Sequence, residues 1–291
     1  MIDIRISKPE EIPMQKELWK RCFGDSDEYI DLFYDKFCTA DRVLVVEEDG
    51  ELNSMVALLD TDLVMPDGSS VRTGYAYALG TNPYIQGKGY ARQLLAFADD
   101  YLKKRGAKCF TLVPSSPSLH RYFENLGLQE CFSARKLEII STTLADPDLS
   151  CTVTPIDSHE YNQIRESNLK DTYHIAYSDE LIEFQKLGSQ QTGADIYRLE
   201  IDGEVGCAAI EYVQKRRLLF KELLISPAKM MKAVELVWSI LPATRYHVRT
   251  PSFRDGLPGN YIQAFAMIKW YDRELQQKWH NQDAYMGLGF D

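Results

Sequence analysis

The chain has 291 residues, of which 45% are hydrophobic and 26% charged, a composition typical of a globular protein with a substantial core. Its formal net charge of −10 argues against nucleic acid as a partner, because phosphate binding needs a basic face. The first residues show no apolar leader and no later run approaches membrane length. We therefore expect a cytoplasmic protein that has no membrane partner.

In the first half, apolar spacing and turn residues predict a strand, two helices, three strands, a helix, a strand, a helix and closing strand structure. The segments, in that order, are residues 2–6, 9–38, 42–65, 74–81, 87–105, 108–114, 117–127 and 128–140. The segment 42–65 predicts a hairpin that turns at Asp49-Gly50. A polar stretch containing a proline, residues 142–150, indicates a domain boundary.

The second half follows the same plan more loosely. Its predicted elements are a strand at 151–156, a helix at 157–169, a hairpin at 195–213, a strand at 217–225, a helix at 227–241, a strand at 245–250 and a final strand at 284–291. The hairpin turns at Asp202-Gly203. The order of elements predicts a degenerate repeat of about 140 residues, with domains at residues 1–145 and 146–291.

The cysteines are scattered along the chain, and no pair has the spacing of metal ligands. They are Cys22, Cys38, Cys109, Cys131, Cys151 and Cys207. Because most of them lie in apolar runs, we expect buried, reduced thiols and no metal cofactor.

The stretch "TNPYIQGKGYARQLL", residues 81–95, places two glycines where an extended run changes into a helix. Two phosphate-binding motifs are excluded by spacing. Six residues separate Gly80 from Gly87, too many for a Walker loop. In Gly87-x-Gly89-x-x, Arg92 occupies the place of the third glycine of a dinucleotide fingerprint. Open amides at a helix start would still suit a diphosphate, and a glycine-eased turn without a ligand is the alternative.

These residues resemble the acyl-CoA signature of the Gcn5-related N-acetyltransferases (GNAT), (Gln/Arg)-x-x-Gly-x-(Gly/Ala). Gln86, Gly89 and Ala91 fill its three fixed places, Pro83 lies three residues before Gln86, and "FENLGL" at 123–128 resembles a later family segment. The resemblance implies acetyl-CoA as cosubstrate. The residues that it places against the cofactor are Leu79, Thr81, Gln86, Gly87, Lys88, Gly89, Tyr90, Ala91 and Arg92.

The catalytic groups are less well defined. The frequent tyrosine of the family falls on Phe123, so the neighbouring Tyr122 is a candidate general acid, with a packed ring as the alternative. Asp291 is a second candidate, because some tandem members of the family place a terminal carboxylate in the active cleft; a frayed tail is the alternative. Tyr75 and Tyr77 share a strand face and either line the acceptor pocket or pack the sheet.

Acidic residues on or near the first hairpin are candidate bases through water, or are simply solvated. They are Glu47, Glu48, Asp60 and Asp62. The resemblance implies a mixed α/β (α+β) fold: two tandem GNAT-like domains, each with a central, mostly antiparallel twisted sheet flanked by helices. It implies N-acetylation of a small-molecule or peptide amine, by a monomer or a dimer. The alternatives are transfer to a protein or an aminoacylated carrier, and a non-catalytic acyl-CoA-binding or regulatory protein.

Overall fold

The structure is a computed structural model, which describes residues 2–148, 150–279 and 284–290. Its internal contacts divide the chain into two compact units. Unit 1 consists of residues 1–62, 71–129 and 267–279, and unit 2 consists of residues 63–70, 130–266 and 280–291. A segment from near the end of the sequence, 267–279, is therefore part of unit 1.

Among its described residues, unit 1 contains a mixed sheet and five α-helices. Its strands are β1 (Ile2–Ile6), β2 (Val43–Glu48), β3 (Glu51–Val64), β4 (Ser70–Thr81), β5 (Cys109–Leu112) and residues 267–270 of β13 (Tyr261–Trp270). Its helices are α1 (Ile12–Phe23), α2 (Asp27–Leu32), α3 (Tyr90–Lys104), α4 (Pro117–Glu124) and α8 (Arg273–Lys278). The strands β3 and β4 extend into unit 2 at residues 63–70.

The strand order in unit 1 is β1-β2-β3-β4-β5-β13. The pairs β1–β2, β2–β3 and β5–β13 are antiparallel. The pair β4–β5 is parallel, because α3 carries the chain from the end of one strand back to the start of the other. The predicted turn at Asp49-Gly50 is confirmed, and both residues have the positive φ, 58° and 86°, that a two-residue hairpin turn requires.

The two faces of β4 pack against different layers of unit 1. Ala76 belongs to the core cluster that α3 covers with Leu94, Leu95 and Leu102. Because successive side chains of a strand point to opposite faces, the tyrosines on either side of Ala76 face away from that cluster. This alternation places Tyr75 and Tyr77 on the face of β4 that lies near α1 and α2.

Unit 2 also contains a mixed sheet. Its strands are β6 (Gln129–Ile140), β7 (Thr152–Pro155), β8 (Tyr173–Ala176), β9 (Ile196–Ile201), β10 (Glu204–Gln214), β11 (Arg217–Leu224), β12 (Arg245–Pro251) and β14 (Ala284–Tyr285). Its helices are α5 (Ser158–Asn168), α6 (Asp179–Gln191) and α7 (Met230–Ile240). The main order is β6-β12-β11-β10-β9-β7. The pair β11–β12 is parallel and its neighbours are antiparallel; β14 pairs separately with β8.

The final segment of unit 2 is buried over an ion pair. The buried guanidinium of Arg165 contacts the buried carboxylate of Glu222, with 3.0 Å between Nε and Oε2. The Tyr177 hydroxyl donates a hydrogen bond to the Met286 carbonyl at 2.8 Å. Gly287, at φ 79°, has no room for a side chain, because an added Cβ would lie 2.1 Å from a Glu222 oxygen.

The predicted mixed fold with mostly antiparallel sheets is confirmed. Four elements had no prediction, namely α6, α8, β8 and β13. The predicted strand at 284–291 pairs with another strand only at Ala284–Tyr285. The six cysteines all lie within the described residues and form no disulfide, and all but Cys22 are buried, as predicted. Among the described residues, no helix has the length and apolar character needed to cross a bilayer.

Candidate active site

The strand β4 leaves its neighbour partway along its length. Its pairing with β5 runs from Thr73 to Tyr75, and β5 ends at Leu112, whereas β4 continues to Thr81. Between these points Ala78 has a φ of 49°, a left-handed conformation typical of a bulge and rare for a residue with a side chain. The backbone from Ala78 to Thr81 therefore lies past the paired part of this edge, where an extended ligand could pair with it.

The other edge of this segment is fixed to β3. The Ser54 hydroxyl donates to the Gly80 carbonyl at 2.8 Å and contacts the Thr81 hydroxyl at 2.9 Å. The Asn82 amide donates to the Asn53 carbonyl at 2.9 Å. Gly80 is needed for packing, because an added Cβ would lie 3.0 Å from the Cys22 sulfur. Leu79 and Thr81, both half-buried, are thus held in place.

An open glycine loop connects this strand to α3. Gln86, Gly87, Lys88 and Gly89 are all exposed, and the two glycines have φ values of 87° and 82°. An added Cβ would meet nothing within 4 Å at Gly87, and only the Gln93 side-chain nitrogen, at 3.9 Å, at Gly89. The helix begins at Tyr90 and not at Gly87 as predicted, because the left-handed glycines cannot belong to it. The loop leaves space for an anion at a helix N-terminus.

The helix behind the loop is anchored at its first residue and near its middle. Tyr90 is 2% exposed and packs in the core of unit 1, while Ala91 is half-buried and Arg92 exposed. Further along, Asp99 accepts hydrogen bonds from the Lys269 ammonium at 2.6 Å and the Tyr271 hydroxyl at 2.8 Å. Residues from the distant segment 267–279 thereby hold α3 in position.

A carboxylate lies beside the glycine loop. The Tyr90 hydroxyl donates to Glu48 Oε2 at 2.5 Å, and Lys88 Nζ lies 3.8 Å from the same oxygen. Hydrogen bonding to Glu48 raises the pKa of Tyr90, so its hydroxyl stays protonated and donates. The sequence predicts Glu48 only as a candidate base on the first hairpin. It does not predict the contact of Glu48 with the glycine loop, which lies about 40 residues further along the chain.

The helix α4 separates Tyr122 from Phe123. Phe123 is 5% exposed and belongs to the core cluster, whereas Tyr122 is 38% exposed, with the ring centroids 5.2 Å apart. Partial burial raises the pKa of Tyr122, and the charge of Arg92 opposes this shift. The Tyr122 phenol is therefore protonated at neutral pH. It lies close enough to Arg92, in the first turn of α3, for the two groups to interact electrostatically.

Tyr75 and Tyr77 lie on the face of β4 that packs against α1 and α2. Both are buried, and the Tyr77 hydroxyl contacts the Tyr29 hydroxyl at 2.8 Å. The Tyr77 ring lies 5.5 Å from Trp19 and 5.6 Å from Phe33. Burial raises the pKa of Tyr77 well above its ordinary value, so it is a neutral group. Their role in an acceptor pocket remains a prediction.

Among the described residues, the remaining candidate acids and bases are not found at the glycine loop. Glu47 pairs with Arg5 at 3.2 Å, and Asp60 pairs with Arg105 at 3.1 Å. Partial burial raises the pKa of Asp62. Asp291 lies outside the described residues, so its placement in a catalytic cleft stays a prediction.

A possible metal-ligand cluster occurs in unit 2, not at the glycine loop. Asp148, Cys151 and Asp202 bring one ligand atom each within 4.8 Å of one another. Lys232 already pairs with both carboxylates, at 3.2 Å from Asp148 and 2.9 Å from Asp202. The ammonium group supplies the positive charge that a metal ion would bring, so these residues do not indicate a metal site.

A family match covers the part of the chain that contains the glycine loop, and similarities in fold extend beyond it. Residues 3–125 match the family described as the acetyltransferase (GNAT) domain. A search of curated proteins finds no match. Among solved structures, the chain resembles a conserved protein of unknown function from Enterococcus faecalis V583, described as a probable N-acyltransferase, at a TM-score of 0.70 and 11% identity over 93% of this chain and 73% of that one.

Two further structures have a similar fold. Eis1 from Mycobacterium abscessus aligns at a TM-score of 0.68 and 15% identity over 94% of this chain and 75% of its own. A GCN5-related N-acetyltransferase from Anabaena variabilis ATCC 29413 aligns at a TM-score of 0.70 and 13% identity over 94% of this chain and 74% of its own. These alignments extend the likeness in fold beyond residues 3–125, while their low identities carry no information about substrate.

Proposed function

We propose, from the match of residues 3–125 to the acetyltransferase (GNAT) domain family, that this chain is an acetyl-CoA-dependent N-acetyltransferase. The observation that carries the proposal is the continuous path from the bulge at Ala78 to the open loop at Gly87 and Gly89. Binding of an acyl-pantetheine diphosphate needs two features. These are a strand edge without a paired neighbour and a set of exposed amides at the start of a helix.

In this proposal the diphosphate binds the amides from Gln86 to Ala91. Glycines at 87 and 89 let the phosphate oxygens approach the backbone, and the α3 dipole adds partial positive charge. The pantetheine arm lies along Leu79 and Thr81, pairing with their backbone as an added strand would. Fixing the thioester in this way supplies the proximity term of catalysis.

The reaction is acyl transfer by direct attack. The nitrogen of a neutral amine attacks the thioester carbon, and a backbone amide near Leu79 donates to the developing oxyanion. The tetrahedral intermediate then collapses: the carbon–sulfur bond breaks, the CoA thiolate leaves, and the nitrogen releases its extra proton to water. A thiol with an ordinary pKa of about 8.5 leaves tolerably as an anion near neutral pH. Tyr122, protonated and half exposed, is the candidate donor to that sulfur, and unassisted departure is the alternative.

We further propose that residues 146–291 form a degenerate module without a cofactor site. In unit 2 the corresponding strand-to-helix junction contains Pro227, which has no amide donor. The amide of Ser226 and its hydroxyl donate to the Glu204 carboxylate, both at 2.6 Å. A carboxylate of the chain itself thus occupies the donors that a phosphate would use.

A second candidate function is acyl-CoA binding without catalysis. The buried Phe123 at the place of the usual tyrosine favours it, because a phenyl ring cannot donate a proton. Both functions predict that acetyl-CoA binds once per chain by isothermal titration calorimetry. They differ in the release of free thiol when a panel of small-molecule and peptide amines is added: amine-dependent release supports the enzyme, binding without release supports the binding protein, and no binding refutes both.

A further inference from the structure

The glycine loop carries its own counter-ion. Lys88, the one cation between the two glycines, lies 3.8 Å from the Glu48 carboxylate. Its side chain is 56% exposed, so it is free to swing toward a ligand, while Glu48 is only 28% exposed. The less mobile partner of the pair is therefore the acid.

Glu48 is held at this position by the core. Its Oε2 accepts the Tyr90 hydroxyl at 2.5 Å, and Tyr90 is 2% exposed. Lys88 Nζ also lies 5.7 Å from the centre of the Tyr90 ring. A buried tyrosine thus positions a carboxylate under a loop that is otherwise built to attract anions.

A carboxylate in this place opposes the binding of phosphate in two ways. It repels the ligand directly, and it engages the ammonium that would contact the ligand. A loop selected only for tight binding would gain from a neutral residue at position 48, which could still accept the tyrosine hydrogen bond.

We propose that Glu48 is a positioning residue that competes with the CoA phosphates for Lys88. The phosphates must displace the Glu48 carboxylate from Lys88 when the cofactor binds, and the carboxylate takes their place when the cofactor leaves. The inference rests on the proposed CoA site. Its consequence is that Glu48 weakens the hold on product CoA, which carries the same phosphates as the substrate, and so favours turnover over retention.

The test is a double-mutant cycle on the full chain, with dissociation constants for CoA measured by calorimetry. Glu48→Gln keeps an acceptor for Tyr90 and removes the charge, and it should tighten CoA binding by about two- to fivefold, the range for exposed ion pairs. Lys88→Met should weaken binding by a similar factor. In the Lys88→Met background, Glu48→Gln should gain much less, because the contested ammonium is gone.

A matched control is Glu47→Gln, which makes the same charge change one residue away in a side chain paired with Arg5; it should leave the dissociation constant unchanged. A merely structural role for Glu48 would loosen binding and lower the melting temperature, whereas competition tightens binding and strengthens product inhibition by CoA. The gain should shrink as salt shortens the range of charge interactions.

The outcomes separate the two levels of the argument. If the unmodified chain does not bind CoA, the proposed function fails. If it binds CoA and Glu48→Gln leaves affinity unchanged or weaker, the competition is refuted while the site stands. If Glu48→Gln tightens CoA binding equally with Lys88 present and in the Lys88→Met variant, the competition is also refuted. Such a result would show that Glu48 repels the phosphates directly, without involving Lys88.

Discussion

Gly89 offers the sharpest test of the proposed phosphate site, through the paired variants Gly89→Glu and Gly89→Gln. The residue has a φ of 82°, and an added Cβ would meet only the Gln93 side-chain nitrogen, at 3.9 Å, so either side chain fits sterically. Both variants carry the same cost for a left-handed residue, about 1–2 kcal/mol. They differ in one charge, which makes their comparison a measure of what the loop binds.

The magnitude follows from the expected separation of the charges. A carboxylate about 4 Å from a phosphate costs about 1 kcal/mol at the dielectric of water and about 4 kcal/mol at the effective value near a protein surface. Because the loop is exposed, we expect a value between these limits. The dissociation constant of acetyl-CoA for Gly89→Glu should therefore exceed that for Gly89→Gln by a factor of about 5 to 10³.

Calorimetry with acetyl-CoA gives the affinities, and urea unfolding gives the stabilities. Gly106→Glu is the matched control, because Gly106 also has a positive φ, 85°, and no atom within 4 Å of an added Cβ, but follows the opposite end of α3. It should lose similar stability and keep its affinity. Equal affinities for the glutamate and glutamine variants at position 89 would show that no phosphate lies there.

Two further predictions concern the general acid and the ion pair of unit 2. Tyr122→Phe should lower kcat by about 10²-fold at saturating acetyl-CoA, within the range for general acids, with its calorimetric affinity unchanged; Phe123→Tyr, in contrast, places a hydroxyl in the core and should lower the urea midpoint without raising kcat. Arg165→Met should lower the free energy of unfolding by about 3–5 kcal/mol, because Glu222 stays buried without its cation, and the double change with Glu222→Leu should recover most of the loss. An Arg165→Met variant as stable as the double variant would contradict this account.

Local signals in the sequence were sufficient for the turns and for the glycine loop. The dipeptides Asp49-Gly50 and Asp202-Gly203 specify two-residue turns wherever they join extended segments, and both hairpins are found there. Gly87 and Gly89 mark a strand-to-helix junction by their conformational freedom alone. Each of these features depends on residues adjacent in the chain.

The features that the sequence did not reveal depend on distant residues. The bulge at Ala78 has no glycine to indicate it, and it lies beyond Tyr75, where the pairing of β4 with β5 ends. The contact of Glu48 with Tyr90 joins segments 42 residues apart, and the contact of Asp99 with Lys269 joins segments 170 apart. Side-chain pairs at such separations leave no periodicity or motif to be read from a single chain.

The two strand-to-helix junctions show why the same architecture need not carry the same function. In unit 1 the junction ends in Gly89 and leaves its loop exposed; in unit 2 it contains Pro227, and the preceding amide already donates to Glu204 at 2.6 Å. Both junctions position a helix on a mixed sheet, so both satisfy the fold. In our proposal the first junction offers backbone donors to a ligand and the second does not, because an amide already satisfied within the chain offers nothing further to an anion. The capacity for acyl transfer would then depend on which donors the fold leaves unused, and Glu48 would adjust, by one charge, how strongly those donors hold what they bind.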